Sequence, residues 1–253
     1  MNNDKQTELK RYDSRAQSQL AERLSGIDTA SVLGSLAIPP ILRAPYSYYE
    51  QCLRRYIYHN HDVLELGSGT GQHTYTLTQS GARVVASDIS SHSLMMLAQR
   101  IAGVKTCVAD MESLPFKTHS FDVVASAGSL SYGESELVDA EILRVLKPGG
   151  IFLCVDSLNH NPVYRLNRWI HYKRGERTKS ILLFMPTMRR IQSISEEFER
   201  IDVRYFGTIS YLMPILARFI GQYRAAEFSD YIDQLVHVRR TAFKFVLVAQ
   251  GRL

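Results

Sequence analysis

The chain has 253 residues, of which 45% are hydrophobic and 22% charged, and it carries a net charge of +5. That length suits one large domain, or one domain with a sizeable insert, and the composition excludes wholesale disorder. The mild positive charge attracts phosphates, nucleic acid or an anionic membrane without choosing among them.

The three cysteines, Cys52, Cys107 and Cys154, are odd in number and form no C-x-x-C pair. They read as free, buried thiols in a reducing compartment, with no zinc-type spacing. Met1 to Lys5 is polar and has no apolar run behind it, so no signal peptide is expected. The most apolar late stretch, residues 209–220, is broken by Pro214 and Arg218. It falls short of the roughly 18 apolar residues of a membrane span. A cytoplasmic chain is expected.

In chain order, Leu9, Tyr12, Ala16, Leu20 and Leu24 recur at mostly three- and four-residue spacings and predict an amphipathic helix over residues 5–24. Ser25-Gly26 ends it, and residues 33–40 read as irregular. A second helix is expected over 46–58, with Tyr49, Leu53, Tyr56 and Ile57 on its buried face. Residues 63–66 are a short apolar run around Glu65 and read as a buried strand. Gly67, Gly69 and Gly71 then make a tight turn, and a helix starts over 72–80. A second strand, 83–87, ends at Asp88. Ser90 can cap a helix running to about Arg100. Strands follow at 104–109, ending at Asp110, and at 121–126.

Residues 134–145 read as a helix, which Leu146-Lys147-Pro148-Gly149-Gly150 stops and turns. A fifth strand, 151–155, ends at Asp156. A basic, aromatic-bearing region runs to about residue 200. A sixth strand is expected at 201–206, helix over 210–237 and a last strand at 241–249. The reading is a single domain in four parts. Residues 1–60 are a helical N-terminal cap, 61–156 a cofactor-binding core, 157–200 a substrate-side insert and 201–253 C-terminal strands and helices.

Alternation of strand and helix over 61–156 implies a parallel sheet with helices on both faces. Ligands in such sheets bind at the carboxyl ends of the strands. Glu65, Gly67, Asp88, Asp110, Ala127 and Asp156 all fall at or just past those ends. Asp88 follows the glycine turn by about 20 positions, where a carboxylate can accept from both hydroxyls of a ribose. A dinucleotide site favours G-x-G-x-x-G, but Gln72 occupies the position of the third glycine. That departure counts against a nicotinamide oxidoreductase.

Five segments then fall in order. They are Glu65-Leu66-Gly67-Ser68-Gly69-Thr70-Gly71, Asp88, Ala109-Asp110-Met111-Glu112-Ser113-Leu114-Pro115-Phe116, Phe121-Asp122-Val123-Val124 and Leu146-Lys147-Pro148-Gly149-Gly150. Over residues 60–156 they resemble the successive motifs of the class I S-adenosylmethionine-dependent methyltransferases. The resemblance implies an α/β, Rossmann-like fold: a seven-stranded, mainly parallel sheet with an antiparallel last strand, helices on both faces, a helical N-terminal cap and a helical insert after strand five. It implies S-adenosylmethionine as cofactor and S-adenosylhomocysteine as product. Glu65 and the loop of Gly67, Ser68, Gly69 and Gly71 would hold the methionine part. Asp88 would bind the ribose and Ile89 would pack on the adenine. Asp110 would accept from the adenine amino group, with Met111 along the ring. Ala127 would sit near the sulfonium, and Tyr12 could close over the cofactor as a lid.

A hydroxyl acceptor needs a base, whereas a neutral amine needs one less. Candidates follow strand five: Asp156, Asn159 and His160, with His160 favoured because its ordinary pKa suits neutral pH. Between residues 157 and 190 there are eight lysines and arginines and one acid, Glu176, with Tyr164, Trp169 and Tyr172 interleaved. Such a mix suits an anionic acceptor with a flat ring or sugar face. No nucleic-acid module is visible, which argues against nucleic acid. The stretches 126–133 and 159–168 look similar to methyltransferases of sugar and polysaccharide biosynthesis. That similarity implies a small-molecule acceptor, a hydroxyl or amine of a sugar carried on a nucleotide or phospholipid, with Ser131, Tyr132, Tyr164, Arg165 and Arg168 around it. No metal is needed on this reading. A lipid, quinone or natural-product acceptor with peripheral membrane contact is the first alternative. A non-catalytic S-adenosylmethionine-binding protein is the second. Nothing in the pattern specifies an oligomeric state.

Overall fold

A computed structural model describes residues 3–24, 34–235, 239 and 241–253 of the chain. Its centre is one seven-stranded sheet: β1 (Asp62–Leu66), β2 (Arg83–Asp88), β3 (Lys105–Val108), β4 (Phe121–Ala127), β5 (Leu146–Ser157), β6 (Phe198–Phe206) and β7 (Lys244–Arg252). The strand order is β3-β2-β1-β4-β5-β7-β6. The pairs β1–β2, β1–β4, β2–β3 and β4–β5 are parallel, while β7 runs antiparallel to both β5 and β6. This is the expected sheet. The carboxyl ends of the first five strands stand side by side, because Leu66 pairs with Ser87 and Ser126, Asp88 with Val108, and Ala127 with Val155.

Both sheet faces are covered, so the central strands are apolar on both sides. One face buries Val63, Val84, Val123, Ala125, Leu153 and Val155 against α2 (Pro40–Tyr56) and α3 (Thr74–Thr78). Ala86 on that face packs on Leu94 and Leu97 of α4 (Ser91–Arg100). The opposite face buries Leu64, Leu66, Val124, Phe152 and Cys154 beneath α5 (Ser135–Val145) and α8 (Met188–Ser195). Side chains alternate between faces along each strand, and that period of two places Glu65 with Val63, on the α2–α3 side.

Local chemistry explains the boundaries. The Ser90 hydroxyl accepts from the Ser93 N–H at 3.0 Å and starts α4. Asn161 accepts from the N–H groups of Val163 and Tyr164, and Pro162 fills the first position of α6 (Pro162–Lys173). α2 begins at Pro40, six residues earlier than the sequence suggests, because a proline is tolerated in the first helical turn. The expected irregular segment before it holds one 3₁₀ turn, Gly34–Ala37. The Leu146–Gly150 motif is strand and bulge rather than a turn outside the sheet. Leu146 already pairs with Phe121, and the register slips before Val123 meets Ile151. After α7 (Lys179–Phe184) and β6, the late helical region is a 3₁₀ turn, α9 (Met213–Ile220) and α10 (Gln222–Leu235), separated at Gly221. Residues 236 and 237 of the expected helix lie outside the described residues. Cys52 and Cys154 are buried free thiols, but Cys107 is only half-buried because β3 is the sheet edge.

α1 (Asn3–Leu24) crosses the strand ends instead of packing beneath the sheet. Lys5 pairs with Asp110 at 2.6 Å and Glu112 at 2.5 Å. The Ser90 hydroxyl donates to Asp13 at 2.5 Å. Farther over, the Thr178 hydroxyl donates to Glu8 at 2.9 Å, and Arg11 donates to the Glu176 carbonyl at 3.0 Å. The cap helix therefore bridges the core and the insert after β5.

Candidate active site

The loop after β1 is shaped by its glycines and held by Asp88. Gly67 adopts φ +64°, and a Cβ there would lie 2.3 Å from the Ser129 Cβ. Only glycine relieves both constraints. Asp88 accepts from the Gly69 N–H and from the Ser90 N–H, each at 2.8 Å. Burial raises its pKa while these N–H donors oppose the rise.

Behind the loop lies a cavity of about 470 Å³. Gly67, Ser68, Gly69, Asp88, Ile89, Asp110, Met111, Ala127 and Tyr12 all line it, as the sequence suggests. The buried Ser68 hydroxyl has no hydrogen-bond partner among the described residues. A polar ligand group would satisfy it, since a buried unpaired hydroxyl is costly. Carboxylates at two strand ends, an apolar slot at Ile89 and Met111 and this free hydroxyl fit an adenosine carrying a small polar tail.

Two expected cofactor residues are placed elsewhere. Glu65 points to the opposite side of the loop, where it is buried and accepts from the Thr74 hydroxyl at 2.6 Å. Burial lifts its pKa to about 8 against that hydrogen bond. Its observed contact braces the start of α3, because strand alternation turns it away from the cavity. Gly71 is buried, and a Cβ on it would press on Leu97 of α4 and on Ile101 just past its end at 3.0–3.2 Å. Its role is close helix packing. The cavity also uses Lys5, Glu8 and Leu9 of α1 and the segment Ala37-Ile38-Pro39. The spacing of Leu9 and Tyr12 marked their helix, but nothing in the sequence marked Lys5 as the partner of Asp110.

A second chamber, of about 650 Å³, adjoins the first and shares Tyr12, Gly128 and Tyr132 with it. The Tyr12 and Tyr132 hydroxyls hydrogen-bond to each other across the shared wall. Burial and the Tyr132 hydroxyl push the Tyr12 pKa up, so it stays protonated. Ser131, Tyr164 and Arg168 line this chamber as expected. Arg165 does not: it stands on the outer face of α6 in a shallow groove with Leu166 and Trp169. One helical step separates it from Tyr164, enough to turn it outward. His160 is half-buried and lines neither chamber.

The chamber's charged groups come from distant parts of the chain. Asp156 is buried and accepts from the Leu130 N–H at 2.9 Å and the Ser157 N–H at 2.6 Å. Burial raises its pKa, with Lys244 pulling the other way. Lys244 is buried, donates to the Ser157 hydroxyl at 3.2 Å and lies 4.8 Å from the Tyr46 ring centre. Arg168 donates to the Leu158 carbonyl at 3.3 Å and stands over Tyr164 and Phe243, rings stacked 4.1 Å apart. Burial lowers its pKa to about 10. Among the described residues neither cation has a carboxylate within hydrogen-bonding distance. A carboxylate, two cations and a stacked aromatic wall thus meet beside the cofactor-shaped cavity.

The sheet order, the glycine loop and the carboxylates at its strand ends define the class I S-adenosylmethionine-dependent methyltransferase fold. Residues 64–154 match the family model described as "Methyltransferase domain". A demethylmenaquinone methyltransferase from Clavibacter sepedonicus is 40% identical over 112 residues, which cover 41% of this chain and 44% of that protein. A 2-methyl-6-phytyl-1,4-hydroquinone methyltransferase from Oryza sativa is 32% identical over 117 residues, covering 44% and 35%. The chain spans about half, or less, of the length of the curated relatives it matches. Among solved structures, geranyl diphosphate C-methyltransferase from Streptomyces coelicolor superposes with a TM-score of 0.57 at 15% identity, over 81% of this chain and 79% of that one. Its complex holds Mg2+, geranyl diphosphate and S-adenosyl-L-homocysteine. The acceptors named for these two relatives are a demethylmenaquinone and a phytyl hydroquinone.

Proposed function

We propose that the protein transfers a methyl group from S-adenosylmethionine to a lipophilic acceptor with an ionisable ring hydroxyl, of the quinol class. The observation that carries this reading is the second chamber, with Asp156, Lys244 and Arg168 beside an aromatic wall and next to the cofactor-shaped cavity. The quinone methyltransferases among the relatives support the same acceptor class.

In this reading Asp88 binds the ribose hydroxyls of the cofactor and Asp110 the adenine amino group, while Ile89 and Met111 enclose the ring. The Gly67–Gly69 backbone and the Ser68 hydroxyl hold the amino-acid tail, and Ala127 borders the reacting end. The bound cofactor supplies an electrophilic methyl group. Asp156 takes the proton of the acceptor hydroxyl. The charge left on the acceptor spreads into its ring and is stabilised by Lys244 and Arg168. Tyr164 and Phe243 stack on the ring. α1 covers the strand ends and keeps competing water out. The base is therefore assigned to Asp156 in place of His160. Burial raises its pKa, which brings a carboxylate closer to the range useful for proton removal.

The test is transfer of a labelled methyl group to a panel of short-chain quinols, nucleotide sugars and phosphosugars. Label in the quinols is the expected result. Label confined to the sugars would replace this acceptor with the sugar-phosphate class, whose phosphate would take up the same two cations. Label in none of the panel, despite tight S-adenosylhomocysteine binding, would favour a non-catalytic binding protein.

A further inference from the structure

α6 has no buried residue and presents two different faces. Tyr164, Arg168 and His171, spaced by four and three residues, line the acceptor chamber. The other face carries Leu166, 58% exposed, and Trp169, 50% exposed, between Arg165 and Lys173. The Lys173 ammonium lies 5.6 Å from the Trp169 ring centre. No acidic residue occurs on this helix. Nearby, the Tyr164 hydroxyl bonds to the Ser210 hydroxyl at 2.7 Å, which ties α6 to the turn leading into α9. There Phe219, at 82% exposure, is the most exposed large apolar side chain among the described residues.

We propose that the outer face of α6 docks on an anionic lipid surface, so that the chamber behind it opens towards membrane-borne acceptor. Three observations select lipid over an acidic protein. A lone tryptophan beside a leucine suits the headgroup depth of a bilayer, where one end of the ring is apolar and the other wet. Arg165 and Lys173 flank the pair, where their stems can lie on apolar surface while the charges reach lipid phosphates. The helix is also the wall of the chamber, so docking brings a lipophilic acceptor to its rim. Among the described residues no helix is long and apolar enough to cross a membrane. This functional role rests on the lipophilic-acceptor reading; the docking itself does not.

Trp169 is the only tryptophan in the sequence, so tryptophan emission, excited to the red of tyrosine absorption, reports this face alone. The full chain is titrated with phosphatidylcholine vesicles, with and without phosphatidylglycerol. The expected result is a blue shift of Trp169 emission with the anionic vesicles, and quenching by lipids brominated on their acyl chains. Leu166→Glu and Lys173→Glu, which keep the reporter, should each weaken vesicle binding about ten-fold or more. Both variants should still methylate a water-soluble short-chain quinol at the normal rate. Unmoved emission, or vesicle binding by both variants as tight as that of the wild type, would overturn the docking face. So would saturable binding of an acidic polypeptide with no response to vesicles. Docking without methylation of any quinol would instead remove the acceptor assignment and leave this face standing.

Discussion

In the cofactor-shaped cavity, most of the polar wall comes from short loops at neighbouring strand ends, and the Gly69 and Ser90 N–H groups hold Asp88 in that wall. The acceptor chamber is assembled differently. Tyr46 comes from α2, Asp156 from β5, Arg168 from α6 and Lys244 from β7, and side chains supply nearly all of its chemistry. A loop set by glycine geometry tolerates little change. A chamber built from separated side chains can be refitted one residue at a time. On the proposed reading the fold would keep one substrate constant and leave the other free to vary, with Tyr12 and Tyr132 as the wall the two cavities share.

If the two regions are functionally separate, substitutions in one should leave the ligand of the other nearly untouched. The largest effect is expected from Asp156→Asn. Loss of a general base should reduce kcat by about 10²–10⁴-fold. Asparagine can keep only one of the two hydrogen bonds that the Asp156 oxygens accept from Leu130 and Ser157, so S-adenosylhomocysteine affinity, measured by calorimetry, should fall too, but by far less than kcat. In the wild type, the acidic limb of the kcat–pH profile should lie above the ordinary carboxylate range, because burial raises the Asp156 pKa. A profile flat through that region would assign the proton to another group.

Asp88→Ala should cut S-adenosylhomocysteine affinity by about a hundred-fold, as two hydrogen bonds to a charged group are each worth about 1.5 kcal/mol or more. It also frees the Gly69 and Ser90 N–H groups, so the loop loses its anchor. Unchanged affinity would remove Asp88 from the ribose role. Arg168→Met keeps the apolar stem and removes the charge. Acceptor KM should rise about ten-fold with cofactor affinity unaltered. Equal losses on both sides would show that the partition is not a functional boundary.

The smallest expected effect is a change of slope. The folded state raises Glu65 from its ordinary 4.5 to about 8. Between those values the folded chain keeps a proton that the unfolded chain has released, so this group lowers stability as pH rises across that window. Above about 8 the folded state also loses the proton and the decline levels off. Glu65→Gln should flatten the fall in melting temperature between pH 5 and 8. An identical slope in the variant would show that Glu65 is ionised throughout.

Much of the cradle could be read along the chain because its signals are local. Gly67 and Gly69 mark the turn, Asp88 ends β2 and Asp110 follows β3, and each lines the cavity. Reading failed where a side chain's direction mattered. Glu65 sits one position before a strand end and alternation turns it behind the loop. Arg165 and Arg168 share a basic run, yet helical rotation sends one to the surface and the other to the chamber. Arg190, from the same run, pairs with Asp139 of α5 at 2.7 Å and leaves the site altogether.

The sequence by itself determined the sheet, the strand-end positions of the cofactor loop and the class of cofactor, because strand periodicity, glycine turns and motif order are properties of neighbours in the chain. Tertiary structure alone decided that Lys5 pairs with Asp110 and that Asp156, Arg168 and Lys244 share one chamber. It also decided that Trp169 faces outward while Tyr164 faces in. Such contacts depend on how distant segments cross and on the rotation of each helix about its axis, and no local pattern records either.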